Sequence, residues 1–115
     1  MNQYLAIGNL TSDPDYVVTE HQNYCNFMIA VNNRNEEPTF VEVVTYAKQA
    51  TACSNHLIKG SLVCVKGLPI VRAYLDKQGN HKARLKVKAR EVDFISKLRP
   101  KEVAALSPVS QESVL

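Results

Sequence analysis

The chain has 115 residues, 45% hydrophobic and 22% charged, with a formal net charge of +3. That suits one compact domain and falls short of two of ordinary size. No apolar run approaches the roughly 20 residues that a bilayer-spanning helix needs, so no membrane partner is expected.

The N-terminal Met-Asn-Gln-Tyr-Leu-Ala-Ile-Gly lacks the basic-then-apolar layout of a signal peptide, so a cytoplasmic location is expected. Cys25, Cys53 and Cys64 are odd in number, far apart and without Cys-x-x-Cys spacing. This argues against a disulfide framework or a structural zinc site and for buried free thiols in a reducing compartment. His21, His56 and His81 are scattered through a turn, a helix and a hairpin. No nucleophile–base pair, clustered carboxylates or phosphate loop accompanies them, so neither an enzyme nor a bound cofactor or metal is expected.

The small net charge hides an asymmetry. Residues 1–65 hold three basic and six acidic side chains, a net of −3. Residues 66–99 hold ten basic against three acidic, a net of +7, and the last sixteen carry −1. A local positive field of this kind suits a nucleic acid or another acidic surface.

In chain order, Gln3 to Leu10 reads as a first strand and Thr11-Ser-Asp-Pro14 as a turn, since proline biases the residue before it away from helix. Asp15 to Glu20 continues as a short extended segment. Tyr24 to Asn32 alternates as a strand, with Cys25, Phe27, Ile29 and Val31 on one face. A polar loop runs from Asn32 to Pro38. Thr39 to Ala47 is a third strand, rich in β-branched and aromatic residues. Its parity puts Val41, Val43 and Thr45 inward, and Phe40, Glu42, Val44 and Tyr46 outward.

Lys48 to Ile58 is the predicted helix, anchored by Ala52, Leu57 and Ile58 and stopped at Lys59-Gly60. Ser61 to Lys66 forms a fourth strand, after which Gly67 and Pro69 predict a bend or bulge. Ile70 to Leu75 and His81 to Arg90 flank the turn formers Asp76-Lys-Gln-Gly-Asn80, a hairpin signal. The return strand runs on through Val92, Phe94 and Ile95. Pro100 to Leu115 reads as a frayed tail. The domain division expected is therefore 1–98, followed by a short flexible tail over 99–115.

On the return strand, Ala83, Leu85, Val87 and Ala89 share one face, and Arg84, Lys86, Lys88 and Arg90 share the other. Four like charges in a row repel one another and add nothing to a fold, so they are explained by a polyanion laid across them. Their other reading is a solvated edge guarded by lysines against aggregation. Three strands, one helix and two long strands in a mainly β chain predict a five-stranded Greek-key OB-fold barrel, with the helix between strands 3 and 4.

Several strings then resemble the bacterial-type single-stranded DNA-binding protein family. They are Asn2 with its aliphatic strand, Gly8-Asn9-Leu10, Asp13-Pro14, Phe27 to Asn32 and Lys59-Gly60-Ser61-Leu62-Val63. Lys66-Gly67 and Arg72-x-Tyr74, leading into Asp76-Lys-Gln-Gly79, complete the set, which spans about residues 2–98 in family order. The resemblance implies non-enzymatic, sequence-tolerant binding of single-stranded DNA in replication, recombination or DNA transfer. It implies base stacking on Phe40, Tyr46 and Tyr74, phosphate contacts from Lys48 and Arg72, and a homo-oligomer, tetramer or dimer, built on the edge of the first strand. Arg84, Lys86, Lys88 and Arg90 join this site on charge alone.

Four features depart from the family pattern. The chain has no Trp, where two of the stacking positions are commonly Trp. The loop between Asn32 and Pro38 is much shorter than the family's second hairpin, which carries another aromatic. Glu42 lies between two of the stacking positions, where it repels phosphate unless a cation pairs with it. The C-terminus reads Glu-Ser-Val-Leu115 rather than an acidic, Phe-terminated tip, so recruitment of proteins through such a tip is not expected. These departures suit a specialised paralogue from a mobile element, phage or competence system. The alternatives are a primosome-like assembly subunit, which predicts weak DNA affinity, and an RNA-binding OB module.

Overall fold

The computed structural model describes the chain over residues 1–98, with side chains through Ser96. In order the elements are β1 (Tyr4–Leu10), β2 (Asp15–Val18), β3 (Asn23–Val31), β4 (Thr39–Tyr46), α1 (Ala47–His56), β5 (Leu57–Leu75) and β6 (His81–Leu98). The strands follow the order β1-β5-β6-β4-β3-β2, and β1 also pairs with β3. That extra pairing closes β1, β5, β6, β4 and β3 into a five-stranded ring, as the order of elements predicts. β2, expected only as an extended segment, is a short strand laid antiparallel on β3, from Asp15 opposite Asn26 to Val18 opposite Asn23. With it counted, the helix falls between the fourth and fifth strands. The expected tail, Pro100 to Leu115, lies outside the described residues.

The ring is filled by the inward alternation of each strand. Cys25, Phe27 and Ile29 of β3, Val41 and Val43 of β4, Val63 and Val65 of β5 and Val87 of β6 are buried in one cluster. Each aliphatic side chain removed from water in this way contributes about 1.5–3 kcal/mol. Thr45, on the same face, is also buried, and its hydroxyl donates to the Cys25 carbonyl at 3.1 Å. Burial pushes the Cys25 thiol up to about 11, aided by the nearby Asp15 carboxylate. Burial likewise pushes Cys53 up to about 12, with Cys25 adding to the rise and a hydrogen bond with Thr45 opposing it. Both thiols are therefore neutral core groups at physiological pH.

The helix corrects the sequence reading at both ends and in its anchors. Ala50 and Cys53 are its buried residues, and the helix ends at His56. Leu57 is buried as the first residue of β5, and Ile58 belongs to that strand as well. Small anchors give no strong helical period, while Leu57 and Ile58 look like its continuation. Gly60 does not stop the helix; it lies inside β5 with φ of 90°, at an irregularity of the ladder between Leu57 and Leu62. The strand-to-helix junction is equally abrupt, with Ala47 in the left-handed region at φ of 54°. For a non-glycine residue that conformation costs roughly 1–2 kcal/mol, and alanine gives no hint of it.

Two glycines permit the ring to close. A Cβ on Gly8 would lie 2.6 Å from the Ala30 carbonyl oxygen, at the seam where β1 meets β3. A Cβ on Gly67 would overlap the Lys88 carbonyl oxygen and lie 2.8 Å from the Ala89 Cα. These are backbone atoms, which cannot swing aside. Gly67→Ala is therefore expected to destabilise the domain by at least about 2 kcal/mol, read from urea denaturation. An unchanged midpoint would show that β5 and β6 are farther apart at this point than the structure places them.

Candidate nucleic-acid interface

The interface is built by register. On the outer side of the ring, Met28 of β3 stands opposite Glu42 of β4, which stands beside Lys86 of β6, itself opposite Ile70 of β5. The next row is Asn26, Val44, Lys88 and Leu68. Directly paired residues point to the same face, so β3, β4, β6 and β5 present one continuous outer surface. Val44 belongs to this surface by parity yet is only 3% exposed.

The sequence-predicted residues fall on this surface in two groups. At the hairpin end, Phe40 is 55% exposed and Tyr74 42% exposed. Arg72 stands opposite Arg84, and Tyr74 stands opposite Lys82. Counting back two residues from the pair Glu42 and Lys86 brings Phe40 level with Arg84. At the helix end, Tyr46 closes β4 half-buried, and Lys48 is exposed in the first turn of α1. Lys88 and Arg90 are exposed on β6 alongside. Phe40 and Tyr46 are six residues apart on one strand, about 20 Å at roughly 3.3 Å per residue.

The hairpin that carries the first group is tied at its tip. The Asp76 carboxylate accepts from the backbone N–H of Gln78 at 2.9 Å and of Asn80 at 2.8 Å. Gly79 sits at φ of 81° with open space around it, the conformation that this turn requires of glycine.

Charge is unevenly placed across the face. The Arg84 guanidinium pairs with the Glu42 carboxylate at 3.3 Å and lies 5.4 Å from the centre of the Tyr74 ring. Glu42, Arg72, Arg84 and Lys86 line a recess of ≈ 260 Å³. A second recess of ≈ 260 Å³ shares Glu42 and Lys86 and is bounded on its far side by Asp13 and Asp15. Glu42 thus stands on a ridge between a basic and an acidic hollow. The acidic side gives a polyanion a boundary.

Arg90 departs from the simple row. The ladder shifts between Lys66 and Gly67, which pair with Glu91 and Ala89, so Arg90 is an extra residue in β6. The Gln49 side chain of α1 fills that gap. Its amide nitrogen donates to the Ala89 carbonyl at 3.3 Å, and its amide oxygen accepts from the Val92 N–H at 3.1 Å. A side-chain amide satisfies both backbone groups flanking the bulge.

Sequence reasoning passed over Gln49, Lys82 and Tyr24. Tyr24 stands opposite Tyr46 on the outer face, where the alternation of Cys25, Phe27 and Ile29 already puts it. Lys82 was legible from the parity of the return strand. Gln49 had no signal, because its role depends on a bulge 40 residues away.

Gln49→Ala leaves two part-buried backbone groups without this partner and is expected to destabilise the domain by about 1–3 kcal/mol. Faster hydrogen exchange at the Val92 amide would accompany the loss. Unchanged exchange there would mean that the bulge is held by something else.

The family model described as the single-strand binding protein family matches residues 1–95. Single-stranded DNA-binding protein 1 of Clostridium acetobutylicum is 38% identical over 103 residues, covering 83% of this chain and 94% of that protein. Single-stranded DNA-binding protein 2 of the same organism is 35% identical over 102 residues, covering 83% and 77%. In three dimensions the chain is similar to the crystal structure of a small single-stranded DNA-binding protein from Streptomyces coelicolor. The TM-score is 0.72 at 22% identity, covering 80% of this chain and 92% of that one. That likeness carries the fold, and the sequence matches carry the family: the chain belongs to the single-strand binding protein family.

Proposed function

We propose that this chain is a non-enzymatic protein that coats single-stranded DNA with little regard to sequence, during replication, recombination or DNA transfer. The observation that carries this reading is the shared outer face of β4, β6 and β5, where exposed aromatics stand among cations in one register. Every base presents a π-face, so Phe40, Tyr46 and Tyr74 stack on bases of any identity, each worth about 1–3 kcal/mol. Lys48, Arg72, Arg84, Lys86, Lys88 and Arg90 supply the phosphate contacts. Phe and Tyr offer smaller rings than Trp, and the short loop before β4 adds no aromatic, so electrostatics carry a large share of the affinity.

The binding unit in this reading is residues 1–98, with residues 99–115 outside it. The protein works as a homo-oligomer, a dimer or tetramer. Support for that comes from β1, whose core side is Ala6, Gly8 and Leu10 while the larger Leu5 and Ile7 point outward, 59% and 54% exposed. Ile95 of β6 is a further exposed apolar side chain, 49% exposed. No helix among the described residues is long and apolar enough to cross a membrane. The three free cysteines suit a reducing cytoplasm.

The test is fluorescence anisotropy of a labelled oligo(dT) of about 35 nucleotides, long enough to span several stacking positions. Wild type and the Tyr46→Ala/Tyr74→Ala variant are compared across a salt series, with a duplex and a matched oligoribonucleotide as competitors. Wild type is expected to prefer the single DNA strand. The double variant is expected to bind at least about tenfold more weakly, with its fold verified by circular dichroism. Equal affinity for duplex, or indifference to both tyrosines, would point instead to a protein partner for the basic hairpin. Preference for the oligoribonucleotide would make the chain an RNA binder.

A further inference from the structure

Glu42 is out of place on a face that meets phosphate, and its surroundings say what it does there. Its carboxylate holds Arg84 at 3.3 Å. Lys86 is its neighbour in the parallel pairing of β4 and β6, and Arg72 stands across from Arg84. All four side chains line one recess of ≈ 260 Å³. Three cations therefore surround a single anion. A carboxylate and a phosphodiester each offer oxygens with a delocalised single negative charge, and a guanidinium donates to either.

We propose that Glu42 is a built-in competitor for DNA phosphate: it occupies Arg84 in the free protein, and a phosphodiester of the bound strand takes its place in the recess between Arg72, Arg84 and Lys86. This inference rests on the single-strand binding proposed above and adds a determinant of its strength.

The balance of charge gives the consequence. In the free protein one of the three cations is neutralised internally. When phosphate enters, the displaced carboxylate takes up a counterion or turns to Lys86, so the recess gains one fewer net ionic contact than it has cations. Affinity is held down, and so is its dependence on salt. The geometry also prepares the aromatic contact. Held by Glu42 on one side, Arg84 lies against Tyr74 on the other, which limits where that ring sits before a base arrives.

The test compares wild type with Glu42→Gln, which keeps the shape and removes the charge, on the same oligo(dT) across a salt series. Glu91→Gln is the control. Glu91 pairs with Lys66 at 3.7 Å on the same strand as Arg84, so its loss changes net charge equally without touching the recess.

Glu42→Gln is expected to bind at least about threefold tighter at low salt, the scale of one exposed ion pair. Its log–log salt slope should be steeper by about 0.7, one additional phosphate neutralised on a single strand. Glu91→Gln should show neither change. Glu42→Ser, a smaller residue without charge, should give the same gain and guards against a peculiarity of glutamine.

Equal or weaker binding by both Glu42 variants would overturn the proposal. So would an equal gain from Glu91→Gln, because the effect would then be net charge alone. The wild-type titration reports separately on single-strand binding. If that fails, the broader reading falls with it; if it holds while the variant ratio stays at one, only the role of Glu42 is lost.

Discussion

The arrangement depends on the residue inserted in β6 at Arg90. Before it, the strand buries Val87 and turns Ala89 toward the core; beyond it, Val92 and Phe94 pack against the same core. The two halves have opposite parity. A regular strand cannot satisfy both, since a slip of one residue exchanges every inward side chain for an outward one. Opposite the shift in the ladder lie Lys66 and Gly67, with Arg90 as the extra residue. Without the bulge, Glu91 and Asp93 would point into the barrel and Val92 and Phe94 into water. Gly67 allows the close approach, and the Gln49 amide from α1 bonds the backbone on either side.

That correction also shapes the surface. Upstream of the bulge, Arg84, Lys86 and Lys88 face out beside the aromatics of β4 and the hairpin. Downstream, Glu91 pairs with Lys66, and Asp93 and Ile95 are exposed beside them. One residue thus divides β6 into a cationic stretch and a stretch of mixed character. The cationic stretch is not a uniform comb of charges. Glu42 offsets one cation, and Arg84 is shared between a carboxylate and an aromatic ring. Long-range attraction of a polyanion survives this arrangement, because the net charge of residues 66–99 is strongly positive. Local affinity is tempered.

Much of this was legible in the sequence, because strand alternation is a strict rule. The inward sets of β3 and β4, the outward placement of Phe40, Glu42 and Tyr46, and the turn at Asp76–Asn80 all followed from period two and turn chemistry. Gly67 and Pro69 signalled a bulge, and the change of parity between Ala89 and Val92 was present to be read. A return strand taken as unbroken hides it.

Other features were beyond local pattern. The helix is anchored by Ala50 and Cys53, too small to stand out, and the apolar Leu57 and Ile58 that seem to extend it belong to the next strand. Ala47 adopts a conformation that its side chain disfavours, because β4 must hand over to α1 without a loop. The Glu42–Arg84 pair required the register of β4 against β6, a parallel contact between strands more than 40 residues apart.

In the proposed function, DNA lies across the outer face of β4, β6 and β5. The most direct measurement is an amide chemical-shift titration of isotope-labelled protein with oligo(dT). The predicted result is a set of perturbations clustered at Phe40 to Lys48, Arg72 to Tyr74 and Arg84 to Arg90, with Leu5, Ile7 and Ile95 unmoved. Perturbations centred on β1 and Ile95, with the hairpin silent, would contradict it.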